Sequence, residues 1–189
     1  MSTKNNSFDI DFKNAANSFG LIREPLERLI GGKIYSLEKD SSNITLLDIK
    51  YGYDLIQNIN SKKYGIASRI QPTQKSWDTF TIRYKRANGS ETEYIKRIHE
   101  IAVDGVYPKW TSQAYVDLGS NKLISIAAIE TKALYEKVAA FKHNNSLSTN
   151  YKNSVYINKN TVDNNSFIVV KWSFLCDFIK IYREHCYTI

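Results

Sequence analysis

The stretch Tyr64-Gly-Ile-Ala-Ser-Arg-Ile-Gln71 decides the fold that this sequence predicts. Its composition indicates a β-strand, and because side chains alternate along a strand, Arg69 and Gln71 share one face. The apolar residues Ile66 and Ile70 lie beside them. A strand with such a polar and basic face suits a surface that holds phosphate groups, in an enzyme or in a binding protein.

Two neighbouring segments extend this strand into a sheet. Residues 44–59 are rich in β-branched and aromatic side chains and are interrupted by a glycine, so they predict one bent strand or two short ones. Residues 60–63 predict a hairpin-like turn. Residues 79–86 alternate between apolar and polar side chains, which predicts a further strand with Arg83 and Lys85 directed outward.

Periodicity and stop signals predict the other elements. They are a helix at residues 14–30, a strand at 33–38, a turn at 40–43, a helix behind a capping box at Ser90-Glu-Thr-Glu93, strands at 109–117 and 123–129, a helix at 131–141, a strand at 166–172 and a helix at 173–183. This order predicts the mixed α/β (α+β) class, in which a central mixed sheet with an antiparallel meander is flanked by helices.

The chain predicts a single domain with three parts. Residues 1–13 are a polar N-terminal arm, and residues 14–142 form the core. Residues 143–189 add an irregular insert, rich in Asn and Ser, that is followed by a strand and a helix. The terminal helix is expected to bury Phe178, and Cys176 falls near the same inward stripe.

The composition favours a polyanion as the partner. The chain has 189 residues, a net charge of +7 and a pI of about 9.2, which attracts nucleic acid or an acidic membrane surface. Since no apolar run is long enough to span a bilayer and the first residues lack a signal core, no membrane partner is expected. Two cysteines without a pairing pattern favour reduced thiols in a cytoplasmic protein.

The order of elements up to the strand at 123–129 resembles that of the PD-(D/E)XK, or restriction-endonuclease-like, nucleases: a helix, a three-stranded meander, a crossing helix and another strand. That family keeps an aspartate near the second core strand and a (D/E)-x-K motif on the third. The aspartate's place is taken by the last residue of Gly52-Tyr53-Asp54. Gln71 stands at the lysine, for which glutamine is a tolerated replacement, whereas Arg69 has the wrong charge for the acid.

The resemblance implies a metal-dependent DNA endonuclease of the restriction type, with sequence-specific recognition. Some members carry the displaced acid on the following helix, where Glu93 is the candidate, and the first helix often adds a glutamate, here Glu24 or Glu27. Asp54 and Glu93 would hold Mg²⁺ or Mn²⁺, while Arg69 clamps a phosphate oxygen. The catalytic candidates are Asp54, Arg69, Gln71 and Glu93.

Basic residues around this motif predict the contacts to the nucleic-acid backbone. They are Lys62, Lys63, Arg83, Lys85, Arg86 and Lys96. Gln71 or Lys85 would orient the attacking water or compensate charge, and Trp77 or Trp110 would stack unpaired bases if exposed. The expected partner is DNA, with RNA as an alternative, bound by a monomer or by a symmetric homodimer that cuts two strands.

Two other functions remain as alternatives. Asp54 also fits a turn after Gly52, and Glu93 also fits a capping box with Ser90, so each can have a purely structural role. A non-catalytic nucleic-acid-binding protein would use the same strands as a platform, and an interaction protein would inhibit a partner. Carboxylates that converge with Asp54 in a basic cleft would distinguish the endonuclease.

Overall fold

The computed structural model describes residues 5–37, 51–90, 92–145, 147–160 and 164–183, with side chains from Ser18 onward. The described helices are α1 (Asn5–Ile30), α2 (Glu93–Ala102) and α3 (Thr131–Asn144). The described strands are β1 (Lys33–Ser36), β2 (Leu55–Ile59), β3 (Lys62–Pro72), β4 (Thr79–Lys85), β5 (Trp110–Asp117), β6 (Lys122–Glu130), β7 (Val155–Lys159), β8 (Ser166–Lys171) and β9 (Ile179–Arg183), with a 3₁₀ turn at Trp172–Leu175 before β9. The turn predicted at 40–43 lies outside the described residues, as does the first part of the strand predicted at 44–59.

Six strands form the larger sheet, in the order β1-β2-β3-β5-β6-β9. Neighbouring strands pair antiparallel, except that β3 and β5 run parallel. Parallel pairing needs a crossover connection, which residues 73–109 provide with β4 and α2. α1 packs on one face of this sheet, where Ile22 and Leu26 join a buried cluster with Ile66 and Ile126.

A smaller antiparallel sheet, with the strand order β4-β8-β7, covers the other face. Phe80 and Ile82 of β4 share a buried cluster with Tyr115 and Ile129 of the larger sheet and Leu134 of α3. Alternate residues of β5 and β6 therefore contribute to two separate cores, one on each face. This arrangement confirms the predicted mixed class with a mixed sheet flanked by helices.

A tight hairpin joins β2 to β3 and sets the register around Asp54. Asn60 and Ser61 have positive φ angles of 49° and 65°, which is the conformation of a two-residue primed turn. The register pairs Leu55 with Ile66, so Asp54 stands at the start of β2 beside the middle of β3. The predicted hairpin-like turn is confirmed.

Two predicted elements have a different structure. The strand predicted at 79–86 exists as β4, but it leaves the meander and pairs with β8. The helix predicted at 173–183 is wrong, because the chain forms the 3₁₀ turn and then β9, which pairs with β6. The apolar spacing fits a helix, yet pairing with β6 satisfies the backbone donors and acceptors of both strands. Phe178 and Ile181, expected inside, are 45% and 40% exposed, and Cys176 is exposed as well.

The start of α2 corrects the predicted capping box. α2 begins at Glu93 with Thr92 as its N-cap, so Glu93 occupies the first helical position instead of the third. Ser90, the predicted cap, donates its hydroxyl to Asn88 Oδ1 at 2.8 Å. Helix capping therefore does not account for the glutamate at position 93.

α1 is longer than the sequence pattern predicts. It begins at Asn5 rather than at residue 14, so most of the segment predicted as a polar arm is helical. Neither α1 nor the other helices in the described ranges has the length and the apolar content needed to cross a bilayer.

Candidate functional site

A cavity of about 380 Å³ lies between the two sheets, beside the first turn of α2. Residues of β3, β4 and β5 form its walls together with the turn before β2. Its basic lining residues are Arg69, Arg83, Arg86, Lys96 and Arg97, and its acidic ones are Asp54 and Glu93. Three of the four predicted catalytic residues, Asp54, Arg69 and Glu93, therefore share one cavity.

The β2–β3 hairpin holds Asp54 at the cavity. The Asp54 amide donates to the Ile66 carbonyl oxygen at 2.9 Å. The Asp54 carboxylate accepts a hydrogen bond at Oδ2 from the Ser68 amide, at 2.6 Å. Because both bonds end on the backbone of β3, they fix the main chain and the carboxylate together.

The turn before Asp54 is built against the buried guanidinium of Arg97. Arg97 is 4% exposed and donates from Nη1 to the Tyr51 carbonyl oxygen at 3.2 Å and to Glu100 Oε2 at 2.6 Å. Gly52 has a φ of +66°, and a Cβ at this position would lie 2.7 Å from Arg97 Nη2, so both the backbone and the space favour glycine. Arg97 thereby ties α2 to the turn that carries Asp54.

Donors from three elements surround Glu93. Its Oε1 accepts a hydrogen bond from the Tyr135 hydroxyl at 2.9 Å. Its Oε2 lies 3.5 Å from Arg69 Nη2 and 3.4 Å from the Arg83 amide nitrogen. Burial and the Glu93 charge raise the pKa of Tyr135 well above its usual range, so its hydroxyl stays a neutral donor. Glu93 also lies in the first turn of α2, where the helix dipole favours a negative charge.

A chain of polar side chains connects Arg69 to β5. Arg69 Nη1 donates to Thr81 Oγ1 at 2.8 Å, and Thr81 Oγ1 donates to Gln113 Oε1 at 3.1 Å. Gln113 Nε2 donates to Gln71 Oε1 at 3.4 Å. Gln71, which was a catalytic candidate, does not line the cavity, whereas Gln113 does. Gln71 therefore reaches the cavity only through Gln113.

Phe167 of β8 aligns the arginines of β3 and β4. The Cζ atoms of Arg69 and Arg83 lie 5.7 Å and 6.0 Å from the centroid of its ring. Such cation–π contacts contribute about 0.5–1 kcal/mol each at exposed sites. One ring thus orders two guanidinium groups, whose planar forks suit the oxygens of a phosphate.

The predicted nucleic-acid-binding residues fall into separate groups. Those that line the cavity are Arg83, Arg86 and Lys96. Lys85 lines a different pocket at the end of β4, and Lys62 and Lys63 are exposed at the β2–β3 hairpin. Of the tryptophans proposed to stack bases, Trp110 is buried, which excludes that role, and Trp77 is 54% exposed.

The glutamates of the first helix lie away from the cavity, because α1 packs on the opposite face of the larger sheet. Glu24 pairs with Arg28 at 2.6 Å. Glu27 Oε1 accepts a hydrogen bond from the Ile34 amide at 2.9 Å, and this bond lowers the pKa of Glu27. The expectation that either residue joins the catalytic site is wrong.

Asp54 and Glu93 are the side chains that could hold a metal ion at the cavity. Within the described ranges, no three His, Cys, Asp or Glu side chains converge as a metal site. Mg²⁺ commonly uses one or two carboxylates and takes its other ligands from water and substrate phosphate, so this donor set fits an ion that binds with its substrate. To hold the ion, Glu93 would have to give up its contact with Arg69. That contact joins Glu93 Oε2 and Arg69 Nη2 at 3.5 Å, which is longer than a strong hydrogen bond.

The sequence patterns missed Gln113 and Tyr135, and they did not show that α2 buries Arg97. Arg97 follows Glu93 by four residues, and this helical spacing could have placed both on the cavity face. Gln113 ends the polar run Thr111-Ser112-Gln113 in β5, which is a weaker signal, and nothing in the sequence separates Tyr135 from a core tyrosine. Comparisons with family models, curated proteins and solved structures found no match for this chain.

Proposed function

We propose that this protein is a metal-dependent DNA endonuclease whose cavity holds the phosphate that is cut. The observation that carries the proposal is that Asp54 and Glu93 line one cavity with five basic side chains. Carboxylates repel a phosphate unless a cation stands between them, so their presence in a basic cavity favours chemistry over binding alone. The order of three antiparallel strands, a crossing helix and a parallel strand supports the resemblance to PD-(D/E)XK nucleases.

The described side chains divide the work of phosphodiester hydrolysis. Arg69 and Arg83 bind the nonbridging oxygens of the phosphate and stabilise the charge that develops there. Arg69 would exchange Glu93 for the phosphate, and Asp54 and Glu93 would be the carboxylate ligands of Mg²⁺ or Mn²⁺. When bound, the metal supplies Lewis acidity and an activated water. Tyr135 keeps Glu93 oriented during this exchange, because it bonds the other carboxylate oxygen.

Cleavage of plasmid DNA tests the proposal. Supercoiled plasmid is incubated with the protein in Mg²⁺, Mn²⁺ or EDTA, and the nicked and linear forms are separated by electrophoresis. We expect cleavage with either metal, none in EDTA, and a loss of about a hundredfold or more in Asp54→Asn and in Glu93→Gln. Glu24→Gln, on the opposite face, is the matched control and should cleave as the wild type does. Cleavage that persists in Asp54→Asn, or that is missing from the wild type in both metals, would contradict the proposal.

A non-catalytic nucleic-acid-binding protein is the second candidate. It is favoured by the donors around Glu93, since Tyr135, Arg69 and the Arg83 amide contact both of its oxygens. It predicts that DNA or RNA is retarded in a gel in EDTA, with an affinity that falls as salt rises, and that no cleavage follows in either metal. The interaction-protein hypothesis predicts instead that neutralising Arg83 and Lys85 leaves nucleic-acid binding unchanged.

Two further properties belong to the proposal. The two cysteines without a pairing pattern favour the cytoplasm, and cutting both strands would favour a symmetric homodimer. Sedimentation of the protein with and without a DNA duplex would distinguish a monomer from such a dimer.

A further inference from the structure

A second basic pocket, here called the lysine pocket, lies at the C-terminal end of β4 and has a volume of about 470 Å³. Three lysines from three elements line it: Lys85 of β4, Lys142 of α3 and Lys159 of β7. Its neutral polar lining residues are Asn145, Thr149 and Ser166, and its described lining contains no carboxylate. Described residues between 145 and 159, from the segment predicted as an irregular insert with a short strand at 154–157, thus build one wall of a basic pocket.

Among the described residues, the charge of the lysine pocket is positive and unpaired. None of its three ammonium groups lies within ion-pair distance of a described carboxylate. Lys33 and Lys132, on other surfaces, do form ion pairs, with Glu27 at 3.3 Å and with Glu136 at 3.9 Å. Concentrated cations in a concave site attract an anion.

Two of these cations are held beside the same aromatic ring. Lys85 Nζ lies 5.7 Å and Lys142 Nζ 5.3 Å from the centroid of the Tyr84 ring, and Lys142 Nζ lies 5.2 Å from that of Tyr94. The rings attract each ammonium group, but the two ammonium groups repel each other. An anion between them would relieve this repulsion.

Asn145 reduces the negative potential at the end of α3. Lys142 lies in the last turn of α3, where the helix dipole places partial negative charge on exposed carbonyl groups. Asn145 covers the Phe141 carbonyl oxygen with two hydrogen bonds, from its amide at 2.9 Å and from Nδ2 at 3.2 Å. One of the last carbonyl groups of α3 is therefore satisfied by the protein itself, and the charge of Lys142 offsets the dipole further.

β4 connects the lysine pocket to the cavity. In a regular strand, Arg83 and Lys85 would share one face, but Arg83 lines the cavity and Lys85 lines the lysine pocket. The register of β4 against β8 shifts between these two residues, and a bulge of this kind redirects a side chain. Two residues of strand span about 7 Å, so the cavity and the lysine pocket open at neighbouring positions along β4.

We propose that the lysine pocket binds a second backbone phosphate of the nucleic-acid strand whose first phosphate lies in the cavity. The ligand is then a polynucleotide strand that follows the end of β4, and not a mononucleotide. The inference rests on the proposed function in requiring nucleic acid at the cavity, but it does not require cleavage.

Fluorescence anisotropy in EDTA, where no cleavage is expected, tests the inference. Labelled single-stranded DNA of three and of twelve nucleotides is titrated with the wild type and with Lys85→Gln/Lys142→Gln/Lys159→Gln. The matched control is Lys33→Gln/Lys122→Gln/Lys132→Gln, which removes the same charge from other surfaces. We expect the pocket variant to lose tenfold or more in affinity for the twelve-nucleotide strand and to have a salt slope shallower by about 0.7, the change for one lost phosphate contact on single-stranded DNA. Binding of the three-nucleotide strand should be unchanged.

Each other outcome overturns a defined part of the argument. If the wild type binds both strands equally well, or if the pocket variant keeps the affinity and the salt slope of the wild type, the second subsite is wrong and the proposed function stands. If the control variant loses as much affinity as the pocket variant, the effect is one of net charge, and the subsite is again wrong. If the wild type binds neither strand nor cuts plasmid, both proposals fail. Thermal unfolding of each variant confirms that it is folded.

Discussion

The cavity and the lysine pocket both collect basic side chains, but only the cavity adds carboxylates to them. Asp54 and Glu93 reduce the attraction of the cavity for a phosphate, because each repels it. In the lysine pocket, nothing among the described lining residues has that effect. Carboxylates are expected in an anion-binding site when they take part in a reaction. A site that only binds an anion is expected to lack them.

The two sites also differ in how their charges are fixed. In the cavity, strong contacts hold the side chains, such as the 2.6 Å pair of Arg97 with Glu100 and the 2.9 Å bond from Tyr135 to Glu93. In the lysine pocket, the contacts of Lys85 and Lys142 are with aromatic rings, whose centroids lie 5.7 Å and 5.3 Å from the ammonium groups. A geometry fixed by directional hydrogen bonds suits a reaction, whereas point charges beside aromatic rings suit a backbone that is bound without regard to its sequence.

The largest expected effect comes from removing the cation that fixes the cavity. Arg97→Met leaves the Tyr51 carbonyl and the largely buried Glu100 without their partner, so we expect a loss of about 3 kcal/mol in the free energy of unfolding, measured by urea denaturation. Arg28→Met breaks an exposed pair and should cost less than about 0.5 kcal/mol. Similar losses of unfolding free energy in both variants would show that the contacts of Arg97 stabilise the protein no more than an exposed ion pair does.

The next effect concerns the turn before Asp54. Gly52→Ala adds a Cβ to a residue with a positive φ and brings that Cβ too close to Arg97. We expect it to lower the free energy of unfolding by about 2–3 kcal/mol. Gly89→Ala has the same strain, at a φ of +71°, but no atom within 4 Å, so it should cost about 1–2 kcal/mol. Equal changes in the two urea midpoints would rule out a contribution from the Arg97 contact.

A smaller effect separates orientation of Glu93 from general stability. Tyr135→Phe removes the hydrogen bond to Glu93, and Tyr115→Phe removes the bonds of another buried tyrosine to Thr79, so each should cost about 1 kcal/mol. Only Tyr135→Phe should also raise the Mg²⁺ concentration needed for half-maximal plasmid cleavage. A shift of the same size in Tyr115→Phe would mean that Tyr135 acts through stability alone.

The smallest expected effect is on the lysine pocket itself. Lys142→Met removes a cation whose contacts are aromatic, so the free energy of unfolding should stay within about 0.5 kcal/mol of the wild type. Its salt slope for the twelve-nucleotide strand should become shallower, by less than the 0.7 or so expected when the whole phosphate contact is lost. Lys132→Met is the control, and a slope that changes equally in both variants would remove the distinction between the pocket and the rest of the surface.

Local patterns predicted the elements that local interactions determine. The composition of β3 and the two turn residues of the β2–β3 hairpin, Asn60 and Ser61, are local features, so both elements could be found in the sequence. The grouping of Asp54, Arg69 and Glu93 in one cavity was implied by the resemblance to a nuclease family. The direction of the Arg83 side chain could also be predicted, because alternation along β4 puts it on the other face of the strand from Phe80 and Ile82.

Choices between distant partners could not be predicted in the same way. β4 alternates equally well in either sheet, and its pairing with β8 depends on a strand that lies eighty residues or more further along the chain. The spacing of Phe178 and Ile181 fits a helix as well as a strand, and the edge of β6 decides between them. Arg97 can be buried because its guanidinium bonds Glu100 and the Tyr51 carbonyl oxygen, and the sequence alone does not identify either of them as its partner.

The parallel pairing of β3 with β5 determines when the cavity can exist. The Ser112 hydroxyl donates a hydrogen bond to Ser68 Oγ across this pair at 3.0 Å, although the two residues are 44 positions apart in the chain. Closing so long a loop is slow relative to forming the hairpin, so β5 is expected to dock late in folding. Until it docks, the arginines and carboxylates of the cavity are spread over separate segments, so the phosphate site that we propose cannot form before this pairing.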